Sequence, residues 1–197
     1  MKVNSIEKML YSSGRGVGIP CIHVNLWSGS DDEKVEDMDL NSIITKILNF
    51  SKLRTVQISG LLSKIPEIKT LIEGLVQKNK QVVFMTPANE DIGPVRSLQK
   101  VKFSLYFKPP TKDLNTVRLA NLPLLKEEDD LDILIGDMSE YENAKKFLKS
   151  KVITRPTILF DFGGAEDRNE ILVKYLQDCE TFMFNSRYNQ ILDVFNK

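Results

Sequence analysis

The chain has 197 residues, 42% of them hydrophobic and 27% charged, with 27 Lys plus Arg balanced by 27 Asp plus Glu. A chain of this size buries a sizeable core in one domain, taken here as 1–197. The zero net charge gives no electrostatic signal for nucleic acid. No apolar run approaches the ~20 residues that cross a bilayer, and the amino-terminal MKVNSIEKML lacks the pattern of a signal peptide. Two cysteines build no disulfide framework. A cytoplasmic protein is expected.

Residues 3–11 alternate weakly and predict a short first strand, followed by a glycine-punctuated loop at Gly14, Gly16 and Gly18. That loop precedes a strand and has no Gly-Lys-Ser/Thr after it, so turns explain it better than a phosphate cradle. PCIHVNLW (20–27) is the first main strand and holds the only histidine, His23, which reads as a core or lumen residue. The next loop is acidic, with Ser28, Ser30, Asp31, Asp32 and Glu33.

A helix is predicted over 39–50 with Asp39 as N-cap, then a strand over 54–59 ending at Gly60. Ile68, Leu71, Ile72, Leu75 and Val76 share one helical face within 66–77, with Pro66 in the first turn. Strands follow at 81–85 and 101–107, the second stopped by Pro109 and Pro110. Residues 111–130 are poorly periodic and end in four acids, which predicts a solvated surface segment. Then come a strand at 131–135, a helix over 139–148 with Ser139 as N-cap, a strand at 157–160 and a helix over 167–177. A last strand is expected at 180–184 and a helical turn or two over 189–195. This alternation predicts an α/β fold, a partial (open) TIM-like βα barrel with about six mainly parallel strands.

The order Tyr11-Ser12, Gly14-x-Gly16, Gly18-x-Pro20, apolar strand, long loop, helix resembles the amino-terminal unit of radical S-adenosylmethionine enzymes, most closely the 7-carboxy-7-deazaguanine synthases. The resemblance implies a CxxxCxxC loop after the first strand, whose thiolates hold a 4Fe–4S cluster. Cys21 and Cys179 are the only cysteines, so three thiolate ligands are not available. It also implies a TGGEP-like stretch after the second strand. Here Ser59-Gly60-Leu61-Leu62-Ser63 stands there, and Leu62 replaces the glutamate that would accept the methionine ammonium group. Met85-Thr86-Pro87-Ala88-Asn89 stands for an ETNG-like stretch, and Phe107-Lys108-Pro109-Pro110 keeps the lysine and prolines of an SPKPP-like one. Arg187-Tyr188-Asn189-Gln190 resembles an Arg-x-x-Gln pattern. The glutamine and glutamate of the substrate loop are absent, since Ser13-Gly14-Arg15-Gly16 occupies it.

The scaffold is therefore expected without the radical chemistry and with no iron–sulfur cluster; no cofactor is predicted, and S-adenosylmethionine is the one alternative left open. No catalytic and no metal-binding residue is assigned. Ser59, Gly60, Thr86, Asn89, Lys108, Asp137 and Arg187 are the ligand-pocket candidates, because loops at strand carboxyl ends form the sites of such folds. Asp31, Asp32, Asp137 and Asp161 have the chemistry of hard-cation ligands, but helix caps and solvated loop acids account for them more simply. The expected role is that of a non-catalytic binding or regulatory protein with a protein partner or small-molecule ligand. The alternative is an enzyme using the strand-end pocket for metal-assisted or acid–base chemistry on a pterin- or purine-like molecule.

Overall fold

The computed structural model describes residues 1–11, 18–26, 35–109, 119–150, 155–163, 165, 167–181 and 190–191. Its elements are β1 (Lys2–Leu10), β2 (Pro20–Leu26), β3 (Glu36–Asp37), α1 (Leu40–Leu48), β4 (Thr55–Ser59), α2 (Ile68–Gln77), β5 (Gln81–Pro87), β6 (Val101–Phe107), β7 (Asp130–Leu134), α3 (Met138–Ser150), β8 (Thr157–Asp161), α4 (Arg168–Thr181) and β9 (Gln190–Ile191). The nine strands form one sheet in the order β3-β1-β2-β4-β5-β6-β7-β8-β9. From β2 through β9 every neighbouring pair is parallel, whereas β1 runs antiparallel to both β2 and β3. Parallel neighbours that follow in sequence order make a singly wound sheet, and its two edges stay apart. It is an open partial barrel, wider than six strands because β1, β3 and β9 extend it.

Period-two alternation decides the two faces. Ile22, Val24, Val56, Ile58, Phe84, Phe103, Leu131, Ile133 and Phe160 pack on one side with Ile43 and Ile47 of α1 and Leu71, Ile72 and Leu75 of α2. Tyr141 of α3 and Tyr175 of α4 complete the same core, so every helix lies on that face. Phe160 is its aromatic hub, with ring centroids 5.8 Å from Tyr141, 6.1 Å from Phe162 and 5.6 Å from Tyr175. Asp178 clamps α3 to α4, accepting from the Tyr141 hydroxyl at 2.9 Å and pairing with Lys145 at 2.6 Å.

Asp39 caps α1 as expected, accepting from the Ser42 amide at 2.9 Å and its hydroxyl at 2.6 Å. Pro66 lies in the turn before α2 rather than in its first turn. Asp137, not Ser139, caps α3: its carboxylate takes the Glu140 amide at 2.8 Å, while Glu140 reaches back to the Gly136 amide at 2.6 Å. This reciprocal exchange resembles a capping box, and it needs its acid one residue before the helix.

Three further expectations are corrected. Within 111–130, the part from 119 onward is solvated only in part: Glu127 and Glu128 are exposed, but Asn121, Leu125, Asp129 and Asp130 are fully buried. The acids are tolerated there because Arg96 pairs with Asp129 at 2.7 Å and Lys102 pairs with Asp130. The strand expected at 180–184 begins inside α4, which runs on through Thr181; 182–184 lie outside the described residues. The helical turn expected at 189–195 is instead a strand where it is described, with Gln190 and Ile191 paired to Leu159 and Phe160.

Candidate functional site

The sheet face away from the helices is polar. Alternation brings Cys21, His23 and Asn25 of β2, Gln57 and Ser59 of β4, Met85 of β5, Lys102, Ser104 and Tyr106 of β6, and Asp130 and Asp132 of β7 to this inner face. Gln57, Ser104, Asp130 and Asp132 are at most 1% exposed, so partners within the sheet must satisfy them.

The pairing has one geometric rule. Cys21 meets Gln57, Gln57 meets Met85, His23 meets Ser59, Lys102 meets Asp130, and Ser104 meets Asp132. In every case the partner lies two residues beyond the in-register position on the next strand, toward its carboxyl end. These diagonals put His23 Nε2 2.7 Å from Ser59 Oγ and Ser104 Oγ 2.6 Å from Asp132 Oδ2.

His23 is half-buried, and burial lowers its pKa below 6.5 against a smaller opposing pull from the Glu7 carboxylate. Glu7 stands directly opposite His23 across the β1–β2 pair. A neutral imidazole within hydrogen-bond distance of a hydroxyl is the arrangement a general base needs. Burial and the Glu90 charge raise the pKa of Tyr106, which keeps its phenol a donor at neutral pH.

The loops above this face are stitched together. Gly60 N–H donates to Met85 O at 3.3 Å, and Ser63 donates through its amide and hydroxyl to Glu90 at 2.8 and 3.1 Å. Asn121 donates to the carbonyls of Ala88 and Glu90 at 3.0 and 2.6 Å.

Of the pocket candidates, Ser59 lies on the inner face beside His23. Gly60 is held by packing: a Cβ there would lie 2.9 Å from Ile65 Cδ1 and 3.2 Å from Leu26 Cβ. Thr86, one residue past Met85, faces the helices and is fully buried, and its hydroxyl has no hydrogen-bond partner among the described residues. Asn89 is exposed in the loop after β5. Lys108 is exposed and pairs with Glu140 at 3.0 Å; the hydrogen bond and charge of Glu140 hold its ammonium above the usual range. Asp137 is the α3 cap, and Asp161 similarly accepts the Gly163 amide at 2.8 Å. Arg187, like Ser28, Ser30, Asp31 and Asp32, lies outside the described residues.

Sequence reasoning missed Glu7, Gln57, Lys102, Ser104, Asp130 and Asp132. Their signal was available in the alternate polar positions of TVQIS, VKFSLYF and DLDIL, which share one face.

Comparison with known proteins supports the resemblance. No family model matches the chain. The 7-carboxy-7-deazaguanine synthase of Koribacter versatilis (strain Ellin345) is 25% identical over 193 residues, covering 88% of this chain and 85% of that protein. The crystal structure of QueE from Escherichia coli superposes with a TM-score of 0.67 at 16% identity, covering 92% of this chain and 90% of that one. The chain is a distant, radical-SAM-like relative of the 7-carboxy-7-deazaguanine synthases.

The donor set of this radical-SAM-like chain does not fit the cluster. A cysteine-ligated cluster with one open iron needs three thiolates, and the chain has two cysteines. Cys21 is fully buried within β2, where burial raises its pKa away from the thiolate form. Among the described residues, no group of three or more His, Cys, Asp or Glu is placed to hold a metal ion. Leu62, where the family glutamate would stand, packs against the main hydrophobic core. The thiolate ligands for radical-SAM catalysis are therefore lacking. No helix among the described residues is long and apolar enough to cross a membrane.

Proposed function

We propose that this chain is a non-catalytic binding or regulatory protein built on a radical-SAM scaffold, its inner sheet face taking a small polar ring molecule of the 7-deazapurine or pterin kind. Leu62 carries this reading. An apolar side chain packed on the core has replaced the acceptor of a charged ammonium group, while the half-buried His23, Asn25, Ser59 and Tyr106 of the inner face are suited to the edges of a heterocycle.

The test is a thermal-shift titration of the purified protein with S-adenosylmethionine and, separately, 7-carboxy-7-deazaguanine, with iron measured in the same sample. A ligand at ~100 times its dissociation constant stabilises by roughly 2.7 kcal/mol, a rise of about 5–10 °C for a chain of this size. The expected result is a shift with the heterocycle, none with S-adenosylmethionine, and no stoichiometric iron. A saturable S-adenosylmethionine shift, or bound iron–sulfur, overturns the reading.

The His23–Ser59 pair favours a second reading, acid–base chemistry at the same face. In the tautomer with the proton on Nδ1, His23 Nε2 accepts the Ser59 proton as Oγ attacks an acyl or phosphonyl centre. The leaving group departs with a proton, and water later releases the group from Ser59. A fluorophosphonate probe is then expected to label Ser59, with labelling lost in Ser59→Ala and reduced about 100-fold or more in His23→Gln. Since burial lowers the His23 pKa, the labelling rate should be half-maximal below pH 6.5 and flat above neutrality. Absence of labelling, or labelling indifferent to His23→Gln, excludes this reading.

A further inference from the structure

At the opposite end of the sheet, below the amino ends of β4, β5 and β6, lies a cavity of about 560 Å³ lined by Lys80, Lys100, Lys102, Lys126 and Glu128 among others. Its volume is in the range of small-molecule sites. The lining carries these four lysines against Glu128 alone, so it is locally basic in a chain of zero net charge.

Two of the four ammonium groups are already paired. Lys102 is held by Asp130, and Lys126 stands 4.0 Å from Glu128. The other two have no carboxylate within ion-pairing distance among the described residues. Lys80 is only 6% exposed, and its Nζ donates to the carbonyls of Leu53 at 2.6 Å and Phe50 at 3.5 Å. Those carbonyls take two of its three N–H donors and bring no negative charge. A buried ammonium without a counter-ion is costly to maintain, and burial lowers its pKa accordingly. Lys100 is exposed and sits at φ 59°, a left-handed position that a lysine adopts at some cost in strain.

Local structure fixes this arrangement. Lys80 and Gln81 enter β5 with the Gln81 amide on Arg54 O at 2.9 Å, and the Lys126 amide is held by Asp129 at 2.7 Å. The lining itself holds no guanidinium, and Arg96 above it is committed to Asp129 and to Leu124 O. The lining thus presents ammonium point charges, the form in which lysine binds phosphate groups.

We propose that this cavity binds a multiply charged phosphate compound, a pyrophosphate-bearing small molecule, at a site separate from the inner-face residues around Ser59. The phosphate oxygens supply the counter-charge that Lys80 and Lys100 lack.

Isothermal titration of the full chain with inorganic pyrophosphate tests it, with inorganic phosphate as the lower-charge comparison. Lys100→Asn and Lys126→Gln are the variants of choice, since both side chains are exposed and asparagine tolerates φ > 0. Saturable binding is expected, tighter for pyrophosphate than for phosphate and weakened by salt. Each variant should bind about fivefold more weakly, whereas Lys69→Gln on α2 and Ser59→Ala should bind as the native chain does. No heat with pyrophosphate, or unchanged affinity in the Lys100→Asn/Lys126→Gln double variant, overturns the proposal. Loss of binding in Ser59→Ala would place the anion on the inner face and overturn it equally.

Discussion

Replacing Asp129 with alanine is expected to lower stability by about 3–5 kcal/mol, the cost of leaving a buried charge without its partner. Asp129 is fully buried and accepts three hydrogen bonds, from Arg96 Nη2 at 2.7 Å, the Phe103 amide at 2.8 Å and the Lys126 amide at 2.7 Å. Its removal strands a guanidinium that is 8% exposed over the Phe103 ring, together with two backbone donors. For a chain of this length the midpoint of thermal unfolding should fall by about 6–20 °C. An Arg96→Met/Asp129→Leu double variant should lose less, because apolar replacement of both partners removes the orphaned charge while the Phe103 and Lys126 amides stay unpaired. Urea unfolding of the two variants checks this. A single variant within 1 kcal/mol of the native chain, on the order of a surface substitution, would refute the account. The same residue holds the amide of Lys126, so Asp129→Ala should also weaken pyrophosphate binding in whatever fraction stays folded.

Phe160→Ala is expected to cost about 3–5 kcal/mol as well, through a cavity rather than a charge. Phe160 is 1% exposed, at the centre of the aromatic cluster that joins β8 to α3 and α4 through Tyr141, Phe162 and Tyr175. Phe160→Leu fills most of the space and should cost about half as much or less. Denaturant midpoints of the two variants provide the check, and equal losses would show that side-chain volume is not what matters there. Amide exchange should show the loosening concentrated in α3 and α4, the two helices that lose their shared ring contacts.

Much of the scaffold was legible because its signals are local. Asp39 before a 3.6-period run predicts the start of α1, and the Ile68–Val76 stripe predicts α2. At the carboxyl end Glu180 and Thr181 belong to α4 rather than to the expected strand, for an equally local reason. A stretch as short as Glu180-Thr-Phe-Met-Phe cannot be divided between a strand and the end of a helix by periodicity alone. The acid run before β7 pointed to solvent, yet Asp129 and Asp130 are buried, because their cations lie on the chain at Arg96 and Lys102. Sequence spacing conveys nothing of that pairing.

The inner face was half legible. Alternation assigns Gln57, Ser104 and Asp132 to the side away from the helices, and it equally puts Thr86 on the helix side. Attention to strand-end loops found Ser59 and passed over the strand interiors.

The sequence by itself determined what this radical-SAM-like chain cannot assemble, since two cysteines do not make three thiolate ligands and Leu62 accepts no hydrogen bond. It also determined the strand–helix order from α1 to the start of α4, because the period of apolar residues is a property of the local backbone. Only the tertiary structure decided which polar groups meet. His23 and Ser59 are 36 positions apart and come within 2.7 Å only because β2 and β4 pair in one register and lean along one diagonal. Register and stagger are set by the packing of the whole sheet, and so is the gathering of Lys80, Lys100, Lys102 and Lys126 around one cavity.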